Sequence, residues 1–176
     1  MKNKFMQMIV GTFLGILLLV SVTQILVFGQ EDEIQGQQAQ GIVGVWQTVV
    51  TPRNCQTGAQ IAPAFQGLLT FNEGGTLAEF AAGSSPSLRS PGHGVWETGN
   101  GLRPALASNA FNFTAAFNFI RFNPDGTFAG RNTVRQTVTF GPSGNEFTTT
   151  GTVEVFAPNG NLIAIGCSTS TATRFE

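Results

Sequence analysis

Few side chains in this sequence are of types that do chemistry, and they lie far apart. His93 is the only histidine. An imidazole can act as a general base or a haem ligand, but no second His and no Cys pair at metal-ligand spacing stands near it. It sits in the Ser/Pro/Gly-rich run SSPSLRSPGHG and reads as a loop-edge residue. Glu79, Glu97 and Arg121 fall in β-forming segments. A carboxylate beside a guanidinium makes a pair, not an acid–base site. ETGNG (97–101) is turn material, since no Gly-Lys-Ser/Thr follows. The sequence therefore implies no catalytic residue, no metal and no cofactor. Two cysteines, Cys55 and Cys167, complete the inventory. Arg53, Asn54, Gln56 and Thr57 surround the first of them in a long connection, 52–65. Such a connection either covers a mouth and touches a ligand, or serves to present Cys55.

The start of the chain bears on those cysteines. Lys2 and Lys4 precede a nearly continuous apolar run from Met8 to Phe28, and Val27-Phe28-Gly29 offers small residues where a signal peptidase cuts. We expect a signal peptide over 1–29, cleaved before Gln30. The alternative is a retained anchor, because a run of about 20 apolar residues can span a bilayer; Thr12, Ser21, Thr23 and Gln24 interrupt it. Export places the protein outside the cytoplasm, secreted or periplasmic, with no membrane association once the signal is removed. An even cysteine count in an oxidising compartment favours one bridge, Cys55 to Cys167. Residues 30–41, QEDEIQGQQAQG, read as a disordered polar leader, and 42–176 as one domain. No lysine occurs after Lys4, and no basic run occurs anywhere. That balance excludes nucleic acid as a partner.

The elements that must position these residues are strands. TFNEGGTL (70–77), RFNPDGTF (121–128), TFGPSGNEF (139–147) and VFAPNGNLI (155–163) each join two β-formers through a tight turn containing Gly. Four hairpins lead us to strands near 43–51, 66–72, 75–82, 93–98, 111–123, 126–140, 145–157 and 161–175. Eight strands linked mostly by tight turns predict an all-β, antiparallel up-and-down barrel. GVWQ (44–47) before the first hairpin and GVWE (94–97) before the second suggest two related halves. In the fifth strand Phe111, Phe113, Phe117 and Phe119 share one face with Ala115, and Arg121 continues that parity. The rings either fill the barrel or line a pocket. An inward Arg121 would need a carboxylate, from the protein or from a ligand; its place beside the turn favours a solvated strand end. Val134, Val138 and Phe140 point inward in the sixth strand, with Arg131 and Arg135 outward. Val153 and Val155 point inward in the seventh, with Glu154 outward.

Gly44-Val45-Trp46 at the first strand and Arg174 near the end of the last resemble the lipocalin pattern, within the wider calycin group. The resemblance implies that Trp46 plugs the closed end of an eight-stranded barrel and that Arg174 stacks on it. The numbers of Trp46 and Arg174, and those of Cys55 and Cys167, have nearly equal sums, as paired residues of antiparallel strands must. No Tyr is present, so the lipocalin T-D-Y signature is missing, as is the helix that follows the barrel in typical lipocalins. TPRNCQTG (51–58), SPGHGVWE (90–97) and FIRFNPDGTFAG (119–130) resemble a group of uncharacterised bacterial exported proteins. The leading expectation is a barrel that binds a small hydrophobic molecule through Phe111, Phe113, Phe117, Phe119 and Arg121. The alternatives are a structural surface protein with a filled barrel, and an enzyme like the allene oxide cyclase or dirigent groups acting on an apolar substrate. The balance is against an enzyme.

Overall fold

A computed structural model describes residues 41–98 and 112–175. Eight strands form one closed antiparallel barrel in which each strand pairs with its neighbours in sequence and the last returns to the first. They are β1 (Gly44–Arg53), β2 (Phe65–Phe71), β3 (Thr76–Ala81), β4 (Gly92–Thr98), β5 (Asn112–Phe122), β6 (Phe128–Phe140), β7 (Glu146–Phe156) and β8 (Leu162–Arg174). This is the up-and-down barrel that the hairpin pattern predicts. The signal segment, all of the polar leader except Gly41, and Phe111 lie outside the described residues.

Local chemistry sets each reversal. In the β5–β6 turn Asn123 N–H donates to the Thr127 carbonyl at 2.9 Å, and Gly126 N–H donates to Asn123 at 2.9 Å. Gly126 holds φ at 83°, a conformation that costs a residue without a Cβ little. Asp125 Oδ1 accepts from both the backbone and the hydroxyl of Thr127, which holds its carboxyl below the usual aspartate range. The β7–β8 turn repeats the same pair of backbone bonds around Ala157, Gly160 and Asn161.

Alternation then divides inside from outside. Phe113, Ala115 and Phe117 are buried while Thr114 and Asn118 are exposed; Val134, Val138 and Phe140 are buried while Arg131 and Arg135 are exposed. The two ends of the cylinder differ. One is closed by aromatic rings: Trp46 lies 4.8 Å from Phe147 and 5.5 Å from Phe140, and Phe113 packs at 5.5 Å on Phe140 and 5.9 Å on Trp96. Trp46 is fully buried, and its indole N–H donates to Ile42 at 2.8 Å. Arg174 pairs with it across the β1–β8 seam and stacks 4.2 Å above its ring. That guanidinium also donates to the carbonyls of Val43 and Gly41, which seats the residues preceding β1 over the plug.

The other end is left open by unequal strand lengths. β5 to β8 run 11 to 13 residues, whereas β2, β3 and β4 run 6 or 7. β8 meets β1 only up to Cys167, opposite Arg53. Just past that pair the chain turns, and Cys55 reaches back to Cys167 in the expected disulfide, with Cα atoms 5.2 Å apart. The bridge fixes the β1–β2 connection to the rim. Among the described residues, no helix is long and apolar enough to cross a membrane.

Candidate functional site

Above the aromatic plug the barrel encloses a cavity of about 550 Å³ that opens at the disulfide end. Much of its wall is apolar: Val50, Leu69, Phe117, Phe119, Val134 and Val153 all face it. The row of Phe rings is therefore shared between two jobs. Phe113 belongs to the plug, Phe117 to the boundary, and Phe119 to the cavity wall. Ile61, from the β1–β2 connection, stands 63 % exposed at the rim.

Polar groups interrupt this wall at defined places. Glu79 points inward from β3 and is buried, as is Arg89 from the β3–β4 connection, and the two form an ion pair. The Arg89 guanidinium carbon sits over the Phe119 ring, 3.8 Å from its centre, and its Nε donates to the Ser90 carbonyl at 3.1 Å. Gly92 makes the pair fit, because a Cβ there would stand 2.6 Å from Glu79 Oε2 and 2.9 Å from the Phe117 ring. Burial pushes the Glu79 carboxyl up from its ordinary value, and the attraction of Arg89 only partly opposes this. Deeper in, the hydroxyls of Thr149 and Ser170 satisfy each other at 2.6 Å.

Arg121 departs from the solvated strand end that its position suggests. At the rim the β5–β6 pairing shifts register after Arg121, and Gly130 opposite holds φ at 115°. The guanidinium crosses Gly130 and donates through Nη2 to Ala129 at 3.1 Å and to Phe156 on β7 at 2.9 Å. A Cβ on Gly130 would lie 2.1 Å from the Phe156 carbonyl and 3.1 Å from Arg121 Nη2. Gly130→Ala is thus expected to destabilise the barrel by about 2–3 kcal/mol, since it strains φ and forces β7 away. Urea unfolding checks this; a variant as stable as the parent would show that this approach of strands is not needed.

Among the described residues, three buried side-chain atoms have no hydrogen-bond partner: Arg121 Nε, Asn132 Oδ1 and Gln136 Nε2. All three residues line the cavity. Unpartnered buried polar atoms are uncommon and call for an explanation, a bound molecule among them. Gln136 lies between Ala115 of β5 and Gly151 of β7, and a Cβ on Gly151 would stand 2.9 Å from the Gln136 Cβ. Asn132 and Gln136 share the parity of Val134 and Val138, so alternation alone could have marked them as inward. Arg89 lies in an irregular connection and carried no such signal.

The remaining sequence candidates are not gathered here. His93 and Glu97 are exposed, as are Asn54, Gln56 and Thr57. Asn54 Oδ1 accepts from the backbone N–H groups of Gln56 and Thr57, which shapes the turn that presents Cys55. Arg53 Nε donates to the Thr169 hydroxyl at 3.0 Å. A broader groove of about 820 Å³ runs over outward-facing residues such as Thr137, Thr150 and Arg135, all exposed. It lacks the enclosure of the interior and gathers none of the unpartnered atoms except that of Gln136. Among the described residues no group of three His, Cys, Asp or Glu could hold a metal ion. No protein-family model matches the chain, and no curated protein matches it.

Proposed function

We propose that this protein is an exported, calycin-like carrier that takes a small, mainly apolar molecule into its barrel through the open end. The observation that carries the reading is the cavity of about 550 Å³ between the aromatic plug and the rim. Pockets of about 300–1,000 Å³ with apolar walls and a few placed polar groups are the usual form of small-molecule sites. A structural protein with a filled barrel has no use for such a void, which also forfeits dispersion contacts. The disulfide suits an oxidising compartment and so supports export.

Catalysis on an apolar substrate is the second reading. It is favoured by Glu79, a carboxyl held inside the barrel with an upward-shifted titration. Glu79 is nevertheless tied to Arg89, whose buried charge it neutralises, so a structural task already accounts for it.

Binding is tested with the neutral dye N-phenyl-1-naphthylamine, whose fluorescence rises in apolar surroundings. Ser168 lines the cavity, whereas Thr150 faces outward and is exposed. Ser168→Trp fills the space and is expected to weaken dye binding about tenfold or more, while Thr150→Trp leaves it within about twofold. Equal loss in both variants, or no binding by the parent protein, would remove the carrier reading.

A further inference from the structure

The carrier reading leaves the chemistry of the bound molecule open, and the charges inside the barrel narrow it. We propose that the molecule taken up carries a single carboxylate, seated on Arg121 at the rim, with its apolar body running down toward the plug. The inference rests on the carrier reading and adds to it the class of ligand.

Of the described residues that line the cavity, three carry charge: Glu79, Arg89 and Arg121. Glu79 is consumed by Arg89, so one positive charge is left over. Among the described residues Arg121 has no carboxylate partner; its hydrogen bonds go to two neutral backbone carbonyls through Nη2 alone. Its Nε is buried without an acceptor. The acid closest in sequence, Asp125 in the adjoining turn, is exposed and directs Oδ1 to Thr127. A backbone bridge joins Arg89 to Arg121, so the unpaired guanidinium stems from the strand position next to the neutralised Glu79–Arg89 pair.

The guanidinium is also held in place before anything binds. Gly130 lets it cross β6, and the carbonyls of Ala129 and Phe156 anchor one end. A planar, fixed cation with unused N–H groups matches a carboxylate better than any neutral group does. One uncompensated charge fits a monoanion. A cationic amphiphile would meet the same charge as repulsion, and an alcohol would leave it unanswered.

Three probes of equal chain length separate these cases: dodecanoic acid, dodecan-1-ol and dodecyltrimethylammonium, titrated into the oxidised protein by calorimetry. At neutral pH the acid is expected to bind about tenfold tighter than the alcohol, and the ammonium more weakly than the alcohol. The advantage of the acid should vanish as pH falls below about 4, where a carboxyl protonates. Arg121→Gln should bring acid and alcohol to equal affinity while changing the alcohol by less than about threefold. If the parent binds acid and alcohol alike, or if Arg121→Gln keeps the preference, the carboxylate assignment is overturned and the carrier reading survives. If none of the three binds, the carrier reading itself falls. Should Arg121→Gln fail to fold, the parent's acid-to-alcohol ratio and its pH dependence decide the matter alone.

Discussion

Removing the Cys55–Cys167 bridge, by reduction or by the double substitution Cys55→Ser and Cys167→Ser, is expected to lower stability by about 4–5 kcal/mol. The bridge closes a loop with a sequence separation of 112. In the chain-entropy account, a crosslink across about 100 residues removes roughly 4.7 kcal/mol of freedom from the unfolded ensemble. The position of the bridge adds to its length. β1 and β8 are the first and last strands, and their seam is the pairing that turns a sheet into a cylinder. Bringing those strands together carries the greatest closure cost of any pair in the fold. The bridge sits where the seam ends, beside the Arg53–Cys167 pair. Refolding should therefore slow on reduction as well, because closure of the seam becomes a long-range search. Urea unfolding of oxidised and reduced protein measures the first effect, and stopped-flow refolding the second. For a domain of this size the midpoint of thermal unfolding should fall by about 10–20 °C. A change below about 1 kcal/mol would mean that the seam holds without its tie.

The architecture was legible because local and global signals agree. Turns such as NPDG at 123–126 and PNG at 158–160 carry their own backbone requirements, so each hairpin can be placed without knowledge of its partners. Alternation then assigns faces strand by strand: Phe113 and Phe117 inward, Arg131 and Arg135 outward. The shared register of Trp46 with Arg174 and of Cys55 with Cys167 closes the circle, and the structure pairs Trp46 with Arg174 directly. The interior was less legible. Whether a barrel is filled depends on how far each ring reaches along the axis, and parity says nothing of depth. Phe113 and Phe119 share a face, yet one belongs to the plug and the other to the cavity wall. Arg121 was open to two readings because the deciding feature is a register shift opposite Gly130, a tertiary event with no local signature. Arg89 was invisible for a different reason. It is brought to Glu79 by an irregular connection, where no periodicity indicates direction.

That ion pair should show the second large effect. Glu79 and Arg89 are each 8 % exposed, so both charges have lost nearly all contact with water. Desolvation of this kind consumes most of the attraction between the partners, and the pair as a whole contributes little net stability. Removing one partner is different. Glu79→Leu leaves the Arg89 guanidinium buried with no counter-charge and is expected to cost about 3–5 kcal/mol, whereas the double variant Glu79→Leu/Arg89→Met should lie within about 1 kcal/mol of the parent. Arg89→Met alone should depend on pH. Burial already raises the Glu79 carboxyl, and loss of the opposing cation raises it further. A carboxyl whose folded value exceeds its unfolded value contributes fully below the unfolded value, and that contribution is lost as pH rises through the folded one. Stability of Arg89→Met should accordingly fall from acid toward neutral pH more steeply than that of the parent, while the double variant, with no group left to titrate, lacks this component. Urea unfolding of all four proteins between about pH 4 and about pH 8 resolves the pattern. Single variants as stable as the double, with parallel pH profiles, would show that water reaches these charges and that the cavity wall is wetter than its burial implies.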